Sequence, residues 1–255
     1  MGIGHGTDGL YIPGVSRVHR LAPQLKIVAV FVFVLAVVAT PRESFWAFAA
    51  YGTIVLAVAG LAGVPFGTLL RRLRIEVPFL GFALFLPIVG SSPRLEVLGV
   101  SLSEPGLWAA WNIVAKGTIG VAASIVLSST TPVADLLRGL ERLHLPKALT
   151  AIAGFMVRYL DVIVGEAGRM AVARQSRGYD PRWLWQARAL ASSAGTLFVR
   201  SFERGERVHL AMVSRGYAGA MPDLRVQVTA PADRALAALV PLLGVSISLV
   251  ANLVA

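Results

Sequence analysis

Five apolar runs, three of them free of charge and two with a single lysine each, restrict this chain to a solvent that welcomes apolar surface on every side. They cover 25–40, 44–64, 77–91, 107–127 and 235–255. A membrane-spanning helix needs about 20 predominantly apolar residues. The first run stops at Pro41-Arg42-Glu43, and the third carries Pro78 and Pro87 near its ends. The fourth contains Lys116. The chain is 56% hydrophobic and only 15% charged, where a soluble domain carries about 25%. The expected fold class is an all-α membrane protein with about five transmembrane helices and a cytoplasmic domain of long amphipathic helices. The first 24 residues are polar and Gly-rich, too long for the front of a signal peptide, so the first run reads as a retained span.

The charge balance is +10, which in a soluble protein would suggest nucleic acid. Here the basic residues follow a membrane pattern, and no nucleic acid is expected. The N-terminal segment has three (Arg17, Arg20, Lys26) and the loop after the second run has three (Arg71, Arg72, Arg74). The region 129–234 has fifteen, while Arg42 and Arg94 stand alone in the other two connections. Cytoplasmic loops carry the Lys/Arg excess. The expected layout is a cytoplasmic segment 1–24, four spans within 25–128, a cytoplasmic helical domain 129–234 and a last span 235–255. The N-terminus is then inside, in the plasma membrane of a prokaryote.

The inserted region predicts three helices. Pro132 opens a short amphipathic one carrying Asp135, Leu136, Leu137, Leu140 and Leu143, which stops before Pro146. A second runs over 147–177, its apolar stripe formed by Leu149, Ile152, Met156, Leu160, Ile163 and Ala167. Arg158 with Asp161, and Glu166 with Arg169, are spaced as i,i+3 pairs on its other side. A third covers 182–215, with Leu190, Ala194, Leu197, Phe202, Val208 and Met212 as its stripe and Glu203–Arg207 as an i,i+4 pair.

Both long helices end in one word: Ser176-Arg177-Gly178-Tyr179 and Ser214-Arg215-Gly216-Tyr217. Each glycine falls where a helix end wants a left-handed residue, and each arginine suits the negative end of the helix dipole. These could be two ordinary caps. They could also be two matched arginines meant for two matched sockets, since the planar guanidinium binds carboxylates bidentately and stays charged.

The chain resembles the T components of energy-coupling-factor (ECF) importers, the EcfT family, and looks closest to the cobalt-type CbiQ. The resemblance covers nearly the whole chain. It rests on Ser16-Arg17-Val18-His19-Arg20-Leu21, on Thr131-Pro132 with Asp135-Leu136-Leu137, and on Phe155 through Arg158-Tyr159-Leu160-Asp161 into Ala173-Arg174-Gln175-Ser176-Arg177-Gly178. In that family two helices end in Ala-Arg-Gly signatures that dock into two ATPase subunits; here Ser replaces Ala at both. The resemblance implies a coupling site at Ser176, Arg177, Gly178, Ser214, Arg215 and Gly216. It implies two ABC-type ATPase subunits and a membrane-embedded substrate-binding subunit as partners. Cobalt is the leading substrate, with nickel, biotin or another vitamin as alternatives.

No enzyme site emerges. Lys26, Lys116 and Lys147 all lack the context of a phosphate-binding loop, so ATP is expected to be handled by partners. Gly2, Gly4 and Gly6 precede no helix and read as a flexible tail. His5, His19, His144 and His209 are scattered and cysteine is absent, so neither a metal site nor a cofactor is expected. A self-contained secondary transporter would need polar groups at a midplane site, which spans with no charge or a single lysine argue against. Lys116 is costly inside a span. Pairing with Glu76 is the favoured account; a polar seam with Asn112, or a face toward a partner subunit, are the others.

Overall fold

Lipid offers a backbone no hydrogen bonds, so a spanning segment must close its own, and a helix does so within one segment. The computed structural model describes residues 10–90, 93–97, 100–179, 187–219 and 231–254, most of them helical. The helices are α1 (Arg17–Arg20), α2 (Pro23–Ala39), α3 (Phe45–Ala62), α4 (Phe66–Arg72), α5 (Val77–Val89), α6 (Glu104–Thr130), α7 (Val133–Arg142), α8 (Lys147–Ser176), α9 (Ala187–Val213) and α10 (Pro231–Val254). The protein is an all-α membrane protein with one small exception among the described residues. That exception is the antiparallel hairpin of β1 (Arg94–Val97) and β2 (Val100–Ser103), which pairs Arg94 with Ser103. Strands of four residues sit at the lower limit at which alternation can be read from sequence. Helix α4 was likewise not foreseen.

The five apolar runs become α2, α3, α5, α6 and α10, with ends shifted by a few residues. Among the described residues, α3, α6, α8 and α10 are long and apolar enough to cross a membrane, with α2 slightly shorter. Two lengths differ from expectation. At 13 residues α5 reaches only about 20 Å. Helix α8 also qualifies, because residues 148–157 carry no charge and its charges after Lys147 begin only at Arg158. The predicted helix over 182–215 is described from Ala187; its first residues lie outside the described part.

The described residues fall into two compact units, one of 10–140 with 231–254 and one of 141–179 with 187–219. In the first, α2 packs on α10 and α6, and α3 packs on α6. Phe33, Val37, Ala47, Tyr51, Ala122 and Val126 form the centre, with Val37 and Tyr51 wholly buried. Phe31, Leu35, Phe79, Phe82, Phe85 and Leu253 project outward, where lipid solvates them. Helix α5 lies so close to α6 that a Cβ on Gly106 would strike the Leu86 carbonyl; only glycine allows this approach.

The last four carbonyls of a helix lack intrahelical partners. At the end of α2 every one is met. Thr40 Oγ1 donates to Ala36 O at 2.8 Å and Thr40 N–H to Val37 O at 3.3 Å. Lys116 Nζ of α6 donates to Val38 O at 2.7 Å, and Asn252 Nδ2 of α10 to Ala39 O at 3.3 Å. The favour is returned at the other end. Lys26 of α2, 6% exposed, donates to Thr130 O and Thr131 Oγ1 at the end of α6, both at 3.0 Å, and to His19 O at 3.3 Å. The pairings make α2 and α6 antiparallel, each lysine capping the other's helix.

These contacts correct two expectations. Lys116 does not pair with Glu76; it serves a carbonyl, and buried Glu76 instead accepts from Thr118 Oγ1 at 3.1 Å. Lys26 is no loop charge but an interior cap. The polar seam fares no better, since Asn112 Oδ1 is buried without a partner among the described residues.

The two ends of the bundle differ in chemistry. Near Lys26, the His19 ring bridges Ser16 Oγ (2.8 Å) and Ile12 O (3.0 Å), and Arg72 holds Leu10 O and Ser129 Oγ. The motif beginning at Ser16 is thus a latch for the N-terminal segment. At the opposite end Phe45 packs against Trp108 and Trp111, and the Arg42 guanidinium lies 5.6 Å from the Trp108 ring centroid. Such an aromatic girdle suits a membrane–water interface.

Lys116→Met should lower the unfolding free energy in bicelles by about 1–3 kcal/mol, the cost of leaving the exposed Val38 carbonyl facing lipid without a donor. Asn252→Leu should act on the adjacent carbonyl in the same direction. Unchanged stability in both would mean that the end of α2 finds other donors.

Candidate coupling site: two matched helix ends

The two Ser-Arg-Gly-Tyr words fold into superimposable hydrogen-bond patterns. At the end of α8, Tyr179 N–H donates to Arg174 O at 3.1 Å and Gly178 N–H to Gln175 O at 2.9 Å. At the end of α9, Tyr217 N–H donates to Met212 O at 3.0 Å and Gly216 N–H to Val213 O at 2.9 Å. Both are Schellman motifs, with Gly178 at φ 75° and Gly216 at φ 83°. The arginines therefore occupy the cap residue itself and lie just beyond the last helical turn, one position further out than the sequence suggested.

The serines account for themselves. Ser176 Oγ donates back to Val172 O and Ser214 Oγ to Ala211 O, each at 3.0 Å. Their hydroxyls are spent on their own helices, so each presents outward little more than an alanine would. Arg177 and Arg215 are exposed, and neither guanidinium makes an ion pair or hydrogen bond among the described residues. The C-terminus of α3 closes the same way around Gly63 at φ 71°, with Ala62 at its cap. The backbone geometry alone is therefore an ordinary helix stop. What sets the other two apart is a free guanidinium on each.

Helices α8 and α9 are held by polar contacts that step up one helix while stepping down the other. Arg174 Nη1 donates to Ser193 Oγ at 2.6 Å. Glu166, buried, accepts from Arg200 Nη1 at 3.0 Å and Arg204 Nη2 at 3.1 Å, one arginine per carboxylate oxygen. Further along, Phe155, Met156 and Tyr159 face Val208, Met212 and Tyr217 across a groove of about 390 Å³. The helices thus run antiparallel, and the two words lie at opposite ends of the pair. At about 1.5 Å per residue, Arg177 and Arg215 stand roughly 35 Å apart.

Sequence spacing misassigned the partners here. Glu166 pairs with Arg200 and Arg204 and not with Arg169, and Arg158–Asp161 does not form. Glu203–Arg207 does form, exposed, at 4.0 Å. A lone carboxylate within Val164-Gly165-Glu166-Ala167, and two arginines four residues apart on the next helix, were the available signal. Along the apolar stripe of α8, Leu149, Ile152, Met156 and Leu160 are exposed. Among the described residues, no three metal-capable side chains cluster.

A bundle of apolar helices joined in sequence to a clamped helix pair with two matched basic ends is a multi-pass membrane component. The chain belongs to the family described as "CbiQ: Cobalt transport protein", whose family model matches residues 14–227. It is a transmembrane component of an energy-coupling-factor transporter. It is 28% identical to the energy-coupling factor transporter transmembrane protein EcfT of Bacillus subtilis (strain 168), over 83% of this chain and 84% of that one. It is 29% identical to the EcfT of Bacillus selenitireducens over 83% of each chain. It is also 29% identical to the cobalt transport protein CbiQ of Rhodobacter capsulatus, over 71% of this chain and 74% of the relative.

Gly178→Ala and Gly216→Ala should each cost about 1–2 kcal/mol of stability, because a Cβ disfavours the left-handed backbone. Nothing crowds either position, so the cost is conformational alone. Asn at either site should recover part of it, read as a higher melting temperature in detergent than that of the Ala variant.

Proposed function

We propose that the chain transmits ATP-driven motion from two ABC-type ATPase subunits to a membrane-embedded substrate-binding subunit. The observation that carries this reading is the pair of unpartnered arginines on identical caps at opposite ends of one clamped helix pair. A rigid rod about 35 Å long with a free guanidinium at each end suits two similar sockets, one on each subunit of an ATPase dimer. Acidic groups in those sockets would complete the bidentate contacts. Motion of the ATPases would then reach α8 and α9 directly, because the Glu166 clamp joins them. The exposed apolar face of α8 (Leu149, Ile152, Met156, Leu160) offers a surface for the substrate-binding subunit. Cobalt is the proposed substrate, supported by the family description and by the name of the Rhodobacter relative.

We place the N-terminus, α8 and α9 on the cytoplasmic side, since basic residues concentrate at the Lys26 end and aromatics at the other. A single cysteine at Glu43 should react with an impermeant thiol reagent in intact cells, and one at Gln175 should not. The reverse pattern would invert the topology.

Arg177→Ala or Arg215→Ala should weaken co-purification of the ATPases and slow cobalt uptake, and the double variant should abolish both. Removing one partner of a buried charge pair typically costs about 2–5 kcal/mol. Lys should restore each only partly, as a point charge cannot reproduce the fork. A double variant that holds both ATPases and transports normally would reduce these arginines to helix caps. Full assembly without cobalt uptake would leave the coupling role intact and point to another substrate.

A further inference from the structure

A groove of about 530 Å³ runs along the spanning unit between α1, α2, α3, α6 and α10, a volume within the range of ligand sites. Its lining changes character along its length. Ser16, Arg17, Lys26 and Thr130 line one end. Val30, Val58, Leu61, Val126, Leu239 and Val240 line the rest, with Leu61 and Leu239 exposed.

The polar end has few donors left to give. Lys26 spends its ammonium on His19 O, Thr130 O and Thr131 Oγ1. Thr130 Oγ1 donates to carbonyls of its own helix, and Ser16 Oγ is engaged with His19. Arg17 alone is uncommitted: it is exposed and has no partner among the described residues. Arg20 lies three residues on, on the same face of α1, also exposed and without a partner there.

We propose that this groove binds one acyl chain of an anionic phospholipid, with the phosphate held by Arg17. The polarity gradient is that of the headgroup end of an amphiphile: one charged end, then about one apolar helical turn on each wall, within a unit that lies in the bilayer. The Arg17 fork matches phosphate oxygens, and a basic pocket between spanning helices favours a net-negative headgroup. A protein helix, about 10 Å across, could offer this groove only side chains, whereas an acyl chain can lie along it. The site does not depend on the coupling role of Arg177 and Arg215.

The test is native mass spectrometry of the full chain, purified in mild detergent and titrated with phosphatidylglycerol or phosphatidylcholine of the same acyl composition. The wild type should prefer phosphatidylglycerol by about fivefold, the weight of one basic residue at a membrane surface. Arg17→Gln should lose that preference while binding phosphatidylcholine as before; Arg17 is exposed, so the fold should be untouched. Leu239→Trp, which fills the groove from an exposed position, should reduce binding of both lipids. Equal binding of the two lipids by the wild type overturns the proposal, as does a preference that survives Arg17→Gln or undiminished binding to Leu239→Trp. A photo-crosslinker at position 61 of the assembled complex should label lipid; labelling of a partner polypeptide overturns the proposal too.

Discussion

The carboxyl end of α2 is where the spanning unit is most constrained. Four carbonyls point out of a helix end, two of them on the exposed residues Val38 and Ala39, and in lipid each would cost several kcal/mol if left unpaired. The turn residue Thr40 meets two, α6 supplies Lys116 for the third and α10 supplies Asn252 for the fourth. Three separate elements must therefore be in register before α2 can end where it does. Lys26 repeats the arrangement at the other end of α6. Both lysines are cations at the negative ends of helix dipoles, which lowers the cost of placing charge at those depths. Tyr51, buried at the centre, adds a further tie, its hydroxyl lying 2.8 Å from Thr40 Oγ1 and 3.2 Å from Gly244 O.

The α8–α9 pair obeys a different economy. Little of its surface is covered within the chain, and its cohesion comes from a few polar contacts: Glu166 with two arginines, and Arg174 with Ser193. A buried carboxylate with one oxygen per arginine holds the helices at a defined register without a large apolar core. Its outer apolar face stays free for partners. The pair is stiff along each helix, and the chain belongs to a family of transport proteins.

Length and hydropathy alone made the spanning segments legible: the five apolar runs reappear as α2, α3, α5, α6 and α10 within a few residues. The two helix stops were equally readable, because glycine at a left-handed position and the residues around it are local features. The hairpin at Arg94–Ser103 and the helix α4 were not, since elements so short leave almost no periodicity. The apolar stripe of helix α8 was also legible by its spacing, and the chain itself leaves that face open.

What the sequence determined by itself was therefore everything that depends on neighbours along the chain: which segments are apolar, where helices stop, and that two stops carry the same arginine. What only the tertiary structure decided is which distant group each buried charge meets. Lys116 was three plausible things in sequence and is a cap for Val38; Glu166 had a neighbour three residues away and chose two arginines on another helix. The reason is physical. In a low-dielectric interior a charge must find its partner wherever packing brings one, and the antiparallel registers of α2 with α6 and of α8 with α9 exist only once the helices have met.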